Sequence, residues 1–355
     1  MNNLDKQYLD LLQDILDNGT KKVDRTGTGT ISVFGRQIRH KMSDGFPLLT
    51  TKRVAFSQVK SELAWFLAGS SDIRVLWKSN NHIWDGDWYK KYYKSCSTPY
   101  SLEEMVKFGL EGGSHFHESI WDLGPIYGKQ WKSWRTGKSV VVGHNGRNNE
   151  FGEIVIDQIQ NILDDLVNNP DSRRMIVSAW NVGEIDQMTL PPCHNFFQVY
   201  TKELEQKERI KLIQKVWKNK EILPESEEVS SFWIKYEELM DKYNIPKRAI
   251  SLMWNQRSVD TPLGLPFNIA SYGTLLEMLA QEVNMVPDEL IGNLGDVHIY
   301  LNQIEGVKEQ LTRESRPLPT IQLQDGMYCQ LTGDSQDVVI KDYNPHPRID
   351  FPLSN

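Results

Sequence analysis

The sequence predicts a large mixed α/β (α+β) fold, and three observations carry that reading. Apolar residues recur at helical spacing at Tyr8, Leu11, Leu12 and Ile15, and again at Ile159, Ile162, Leu163 and Leu166. Runs rich in β-branched and aromatic residues, such as "NFFQVYT" (195–201), have the texture of strands. Between such runs lies "NIASYGTLLEMLAQEV" (268–283), apolar almost all round, as expected of a helix buried in mid-core. With 355 residues, 39% of them apolar, the chain buries a sizeable core as one large domain or two ordinary ones.

Taken in order, the first helix carries the Tyr8–Ile15 stripe and stops at Asn18-Gly19. "TISVFGRQIRHKM" (30–42) alternates roughly and reads as a strand. "SQVKSELAWFLAG" (57–69) reads as a buried helix with Ser57 as N-cap and Gly69 as terminator. Residues 89–118, rich in Tyr, Lys, Glu, Gly and Ser, hold at most one short helix around Leu102, Met105 and Val106. The Ile159 helix is broken by "NNPDS", after which "RRMIVSAWN" (173–181), "NFFQVYT" and "SLMWNQRS" (251–258) read as strands. Residues 202–249 are dense in Lys and Glu, with an amphipathic stripe of Val229, Phe232, Trp233, Tyr236, Leu239, Met240 and Tyr243. Both segments, 89–118 and 202–249, read as insertions decorating a single domain that spans residues 1–355.

Composition excludes several functions. A net charge of −7 supplies no global basic field, so nucleic acid and anionic membrane are not expected partners. An anionic small substrate would be held by a few placed arginines instead. Three cysteines without C-x-x-C spacing argue against a disulfide framework or a cysteine zinc site. The eight histidines lack metal spacing too, and His115-Phe116-His117 reads as loop, so no metal is expected. Residues 1–20 do not read as a signal peptide, and no apolar run approaches the ~20 residues that span a bilayer. A cytoplasmic location is the expectation.

One cysteine stands apart. Cys193 in "LPPCHNFFQV" (190–199) follows two prolines and opens a strand-like run, whereas Cys96 and Cys329 lie in polar, surface-like stretches. A buried cysteine acting as a small hydrophobe is the plainer reading of any one such stretch. Adjacent strand residues point to opposite faces, so His194 cannot serve Cys193 as an imidazole base. A nucleophilic Cys193 needs its pKa lowered by a cation. Arg25, Arg173, Arg174 and Arg257 are available, each in an apolar or Gly-rich segment where an unpaired guanidinium is costly. A bound phosphate would satisfy several of them. "GTGT" after Thr26 lacks the strand–GxGxxG–helix context of a dinucleotide site. "QRSVDTPLGLPFN" (256–268) reads as a polar, turn-rich loop suited to lining a ligand.

Eleven stretches together resemble the thymidylate synthase family. They are "DRTGTGT", "GFPLLTTKR", "SELAWFL", "IWDGDW", "LGPIYGKQW", "NPDSRRMIVSAWNVGEIDQM", "LPPCH", "NQRSVD", "LGLPFNIASY", "GDVHIYLNQIE" and "YNPHP", in family order from residue 24 almost to the C-terminus. The resemblance implies a single large mixed sheet packed with helices and a sheet-to-sheet homodimer. It implies conversion of dUMP to dTMP by 5,10-methylenetetrahydrofolate, which leaves as dihydrofolate. By motif position Cys193 is the nucleophile that adds to uracil C6, with Arg257 lowering its pKa. Arg25, Gln256, Arg257 and Ser258 fall in the phosphate and nucleotide motifs, joined by Arg173 and Arg174 from the partner subunit. Asn268 reads the base, since an amide can accept from N3–H and donate to O4. His298 and Tyr300 match the ribose-binding pair. Glu62 and Tyr127 match the groups that order water and move protons at O4 and C5. Asp260 matches the residue bonding the pterin, and Trp84, Leu190, Leu263, Gly264 and Phe267 fall in the folate-facing motifs. Lys52 is placed near the glutamate tail, and His194 stands behind the nucleophile.

The chain departs from the family pattern at four places. "IWDGDW" has one residue more between its tryptophans, so Trp88 receives no folate role. Asn255 replaces a usual tyrosine, and Pro262 a usual bulky residue. The chain ends "FPLSN", polar where small apolar residues usually close over the folate. That tail raises an alternative, a dUMP hydroxymethylase in which water captures the methylene intermediate. A non-catalytic regulator binding its own messenger RNA fits poorly with the charge of −7 and the full catalytic set.

Overall fold

Alternation in the strand sequences builds one six-stranded sheet and two small ribbons. The computed structural model describes residues 2–24, 26–112, 116–144, 149–220, 238–324 and 338–354. Its strands are β1 (Thr20–Lys22), β2 (Thr30–Lys41), β3 (Trp134–His144), β4 (Asn149–Ile156), β5 (Ile176–Ser178), β6 (His194–Glu203), β7 (Arg248–Asp260), β8 (Val286–Tyr300), β9 (Thr320–Leu323) and β10 (Val338–Lys341). Six of them join in the order β1-β2-β8-β7-β6-β5. Every pair is antiparallel except β7–β8, so the sheet is mixed. β3 with β4, and β9 with β10, form separate antiparallel pairs.

The helices are α1 (Asn3–Asn18), α2 (Phe56–Leu67), α3 (Ile73–Lys78), α4 (Asp85–Ser95), α5 (Leu102–Leu110), α6 (Tyr127–Ser133), α7 (Gln158–Asn168), α8 (Gln206–Lys220), α9 (Gly264–Glu282) and α10 (Ile304–Leu311). Asn2 caps α1 by accepting from the Asp5 N–H, and the stripe from Leu4 through Tyr8, Leu12 and Ile15 is buried. α1 packs on β2, while α9 packs on β7, β8 and α2. Leu275, Leu276 and Leu279 of α9 have no exposed surface, and burying each contributes roughly 1.5–3 kcal/mol. Gly128 in α6 permits the closest approach near the site. A Cβ there would lie 2.5 Å from the Phe66 carbonyl oxygen of α2.

Period-2 burial gives the sheet two unlike faces. Ile250, Leu252 and Trp254 of β7 and Phe197 and Val199 of β6 are buried under helices. On the opposite face Asn293 lies between Gln37 and Asn255, and Met253 between Ile291 and Gln198. Tyr200 and Ile176 on neighbouring strands are 65% and 44% exposed. Among the described residues that face stays partly open to solvent.

Several expectations need correction. Ser57 is not the cap of α2, which begins at Phe56 after Ala55 without a side-chain cap bond. Gly69 does turn the chain beyond the helix, at φ +63°. The strand expected over 173–181 shrinks to β5, because only Ile176–Ser178 pair with β6. The loop expected over 256–268 is instead the end of β7 and the start of α9, whose turn is short. Segment 89–118 contains the end of α4 as well as α5, whose Ser101–Glu104 capping box went unread. Cys96 is half-buried and packs against the main core rather than lying on plain surface. Within 202–249, Ile213, Met240 and Ile245 form a small core of their own. Val229, Phe232, Trp233, Tyr236, His115 and Cys329 lie outside the described residues.

Candidate active site

Cys193 sits where the chain enters β6, and three elements converge on it. Its backbone N–H donates to the Tyr127 hydroxyl of α6 at 2.8 Å. Its carbonyl accepts from the Arg257 N–H of β7 at 2.8 Å. The Arg257 side chain donates back to the Pro192 carbonyl through Nε at 2.9 Å and to the Pro191 carbonyl at 2.8 Å. Its guanidinium also lies 5.3 Å from the Trp180 ring centroid. The two prolines therefore do more than stiffen the backbone, because their carbonyls clamp the cation beside the cysteine. The Cys193 residue itself is half-buried.

Behind the cysteine the groups are buried and aromatic. The Tyr127 ring stacks on His194 at 4.2 Å and on Phe66 at 4.8 Å, and burial holds its hydroxyl well above the usual phenol pKa. Burial pushes His194 down to about 3, so it is neutral, and its Nδ1 pairs with the Tyr272 hydroxyl at 2.8 Å. This neutral ring cannot pull protons from Cys193. Glu62, from α2, accepts from the Trp84 indole N–H at 2.8 Å. Burial lifts its carboxyl to about 7 despite that bond. A carboxyl poised near neutrality can both give and take a proton at physiological pH.

Asp260 ends β7 in a second buried cluster. It accepts from the Leu263 N–H at 3.1 Å and from the Gln303 side-chain amide at 3.2 and 3.3 Å. Burial raises its pKa, and nearby Lys52 and His298 oppose the rise. Lys52 is 4% exposed and points inward, donating to the Pro262 carbonyl. Burial lowers its ammonium to about 7, and its Nζ lies 4.7 Å from the Phe351 ring centroid of the C-terminal tail. Trp84 is buried, whereas Leu190, Leu263, Gly264 and Phe267 are half-buried. Apolar surface beside one buried carboxylate fits a flat heterocycle with N–H donors, such as a pterin. Among the described residues no cluster of His, Cys, Asp and Glu could hold a metal ion.

Polar groups along β7, β8 and α9 form a third set. The Gln256 amide donates to Asn268 Oδ1 at 3.1 Å and to the Ser258 carbonyl at 3.1 Å. The Asn268 oxygen keeps a second lone pair, and its NH2 remains a donor. His298 pairs in register with Asp260, and its ring meets Tyr300 edge-on at 5.2 Å.

The arginines divide. Arg257 is at the cysteine, but Arg173 and Arg174 are exposed just before β5. They line a surface hollow with Asp165, Asn169, Asp171 and Ser172. Exposure removes the desolvation cost that first singled them out, and Arg25 lies outside the described residues. Trp88, denied a folate role, is 1% exposed and stacks between Tyr92 and Trp121. Sequence reasoning missed Gln303, Tyr272 and Trp180, although Gln303 stands inside "GDVHIYLNQIE".

The model of the thymidylate synthase family matches residues 6–355. A thymidylate synthase of Listeria monocytogenes serotype 4b is 38% identical, over 98% of this chain and 99% of that protein. A thymidylate synthase of Listeria innocua serovar 6a is 37% identical over the same shares, 98% and 99%.

Proposed function

Because the chain belongs to the thymidylate synthase family, we propose that Cys193 is the nucleophile of that family's reaction. The reaction is methylation of dUMP to dTMP, with 5,10-methylenetetrahydrofolate as co-substrate. The hydroxymethylase alternative is not favoured, since the relatives reported above are named synthases. One observation carries the assignment of Cys193. The residue is tied on one side to the buried Tyr127 hydroxyl and on the other to the Arg257 backbone.

In this reading the Cys193 thiolate adds its electron pair to uracil C6, and the C5–C6 pair moves toward O4. Arg257 holds the thiolate form and, with Ser258 and Arg25, the nucleotide phosphate. Glu62 passes a proton through water to O4 and takes it back. Tyr127 relays the proton that leaves C5. Asn268 reads the N3–O4 edge, with Gln256 fixing its amide plane, and His298 with Tyr300 holds the ribose. Bound methylenetetrahydrofolate supplies the one-carbon unit and the hydride. Asp260 holds its pterin, and Trp84, Leu190, Leu263, Gly264 and Phe267 exclude water around it. When the C6–S bond breaks, the pair returns to Cys193 and the C5–C6 double bond is restored. The inward-facing Lys52 supports the tail and Pro262 rather than reaching a glutamate in solvent.

The chain acts as one catalytic domain over residues 1–355, with 89–118 and 202–249 as decorations. It pairs through the partly open sheet face into a homodimer, and Arg173 and Arg174 of each chain serve the other's phosphate site. Their exposure away from Cys193 supports that exchange. The test follows dihydrofolate absorbance and product mass together, with dUMP and methylenetetrahydrofolate. Equal yields of dTMP and dihydrofolate are expected. Hydroxymethyl product without dihydrofolate would overturn the reading.

A further inference from the structure

Gln303 is a buried side chain that the mechanism does not use, and it joins Asp260 to the C-terminal tail. Gln303 is 1% exposed. Its amide nitrogen lies 3.2 and 3.3 Å from the Asp260 carboxylate oxygens and 3.2 Å from the Pro352 carbonyl. Its amide oxygen accepts from the Tyr300 N–H at 3.1 Å. An amide NH2 has two hydrogens, so one serves the carboxylate and the other serves the tail.

The tail has a prepared seat on the same short helix. Ile349 and Phe351 are buried, at 9% and 7% exposure. Gly306 lies one turn beyond Gln303 on α10. A Cβ there would stand 2.7 Å from the Phe351 ring and 3.0 Å from Ile349. The absent side chain is what lets the tail lie flat. Leu353 is 54% exposed, so the polar end "LSN" adds little apolar grip. The grip comes from Phe351 and from the Pro352 carbonyl.

We propose that Gln303 is a positioning residue that couples closure of residues 349–354 to occupation of Asp260. The proposal rests on the reading that Asp260 holds the pterin. A ligand that fixes the carboxylate also fixes the Gln303 amide plane, which aims its second N–H at Pro352. Linkage makes the effect reciprocal, so a seated tail presents Asp260 to the ligand. A merely structural Gln303 would loosen the tail equally with and without ligand.

Carboxypeptidase digestion of the full chain, read by mass of the C-terminus, separates these cases. The probe is dUMP with tetrahydrofolate, which lacks the one-carbon unit and does not turn over. In the wild type, tetrahydrofolate slows release of the terminal residues. In Gln303→Ala that slowing shrinks by about fivefold, the worth of one hydrogen bond. Gly306→Ala lifts Phe351 but keeps the amide bridge, so it speeds release by the same factor in both states. A folded Gln303→Ala with the wild-type ratio overturns the proposal. Should that variant not fold, Gln303→Met keeps the length of the side chain but donates nothing, and the same loss is expected. A wild-type tail indifferent to tetrahydrofolate would overturn the Asp260 reading itself, and this inference with it.

Discussion

The surroundings of Cys193 and those of Arg173 and Arg174 differ in burial. Around Cys193 the neighbours are fixed by the core. Tyr127 stacks on Phe66 and His194, and Arg257 is clamped by the Pro191 and Pro192 carbonyls. The two arginines before β5 are instead exposed and share a surface hollow with Asp165 and Asp171. The difference teaches where chemistry and binding are separated. In the proposed reading bond making is organised by burial within one chain, and part of the charge for the phosphate is offered to another.

The largest effect should come from removing the nucleophile. Cys193→Ser is expected to lower turnover by about four orders of magnitude or more, as loss of a covalent catalyst does. Affinity for dUMP should stay within a few-fold, because arginines, Asn268 and the His298–Tyr300 pair hold the nucleotide. Single-turnover kinetics and equilibrium binding check both halves. Lost binding in a folded Cys193→Ser would make the cysteine structural.

The arginine end breaks differently. Arg173→Ala with Arg174→Ala should weaken dUMP binding by about 10²–10⁴-fold, since each charge-assisted bond contributes roughly 1.5–3 kcal/mol. Sharing across a two-fold axis adds a sharper test. A mixed dimer of this double variant with Cys193→Ser holds one intact site, built from the cysteine of one chain and the arginines of the other. An equal, fully exchanged mixture should regain about one quarter of wild-type activity per chain. A mixture that stays inactive while exchanging subunits would place both arginines in their own chain's site.

The same contrast decides what was legible in the sequence. Local patterns report local physics, so α1 and α9 were readable from their apolar spacing, and β6 and β7 from their β-rich runs. β5 was overread because "RRMIVSAWN" has strand texture, but only three residues find a partner at the sheet edge. Ser57 failed as a cap because Val59, Leu63 and Phe66 set where α2 lies, and packing overrode the capping preference. Cys193 stood out only through its neighbours, and its assignment came from family motifs. Long-range partners were invisible. Nothing in "LPPCH" announces that Arg257 will bond two proline carbonyls 65 and 66 residues away. Gln303 was hidden for the same reason, since its partners Asp260 and Pro352 are 43 and 49 residues distant.

The smallest effect is also the most diagnostic of the buried end. If the Cys193 cluster is organised by burial, that organisation should cost stability at Glu62. Its carboxyl titrates at 4.5 when exposed and at about 7 in the fold, because burial disfavours the charge. Between those values the native state binds more protons than the unfolded chain. Stability therefore falls as pH rises through that window and levels off above it. Glu62→Gln carries no titrating group there, and its amide oxygen can still accept from the Trp84 indole. The variant should match the wild type near pH 4.5 and exceed it by roughly 3 kcal/mol at pH 8. Its turnover should nevertheless fall by about 10²–10⁴-fold, the usual worth of a positioned acid–base group. Urea denaturation of both proteins at the two pH values reads the stability, and dihydrofolate absorbance reads the rate. A variant less stable than the wild type at pH 8 would mean that the carboxylate is solvated or paired in the fold. In that case the Cys193 end would be no more buried in its chemistry than the arginine end.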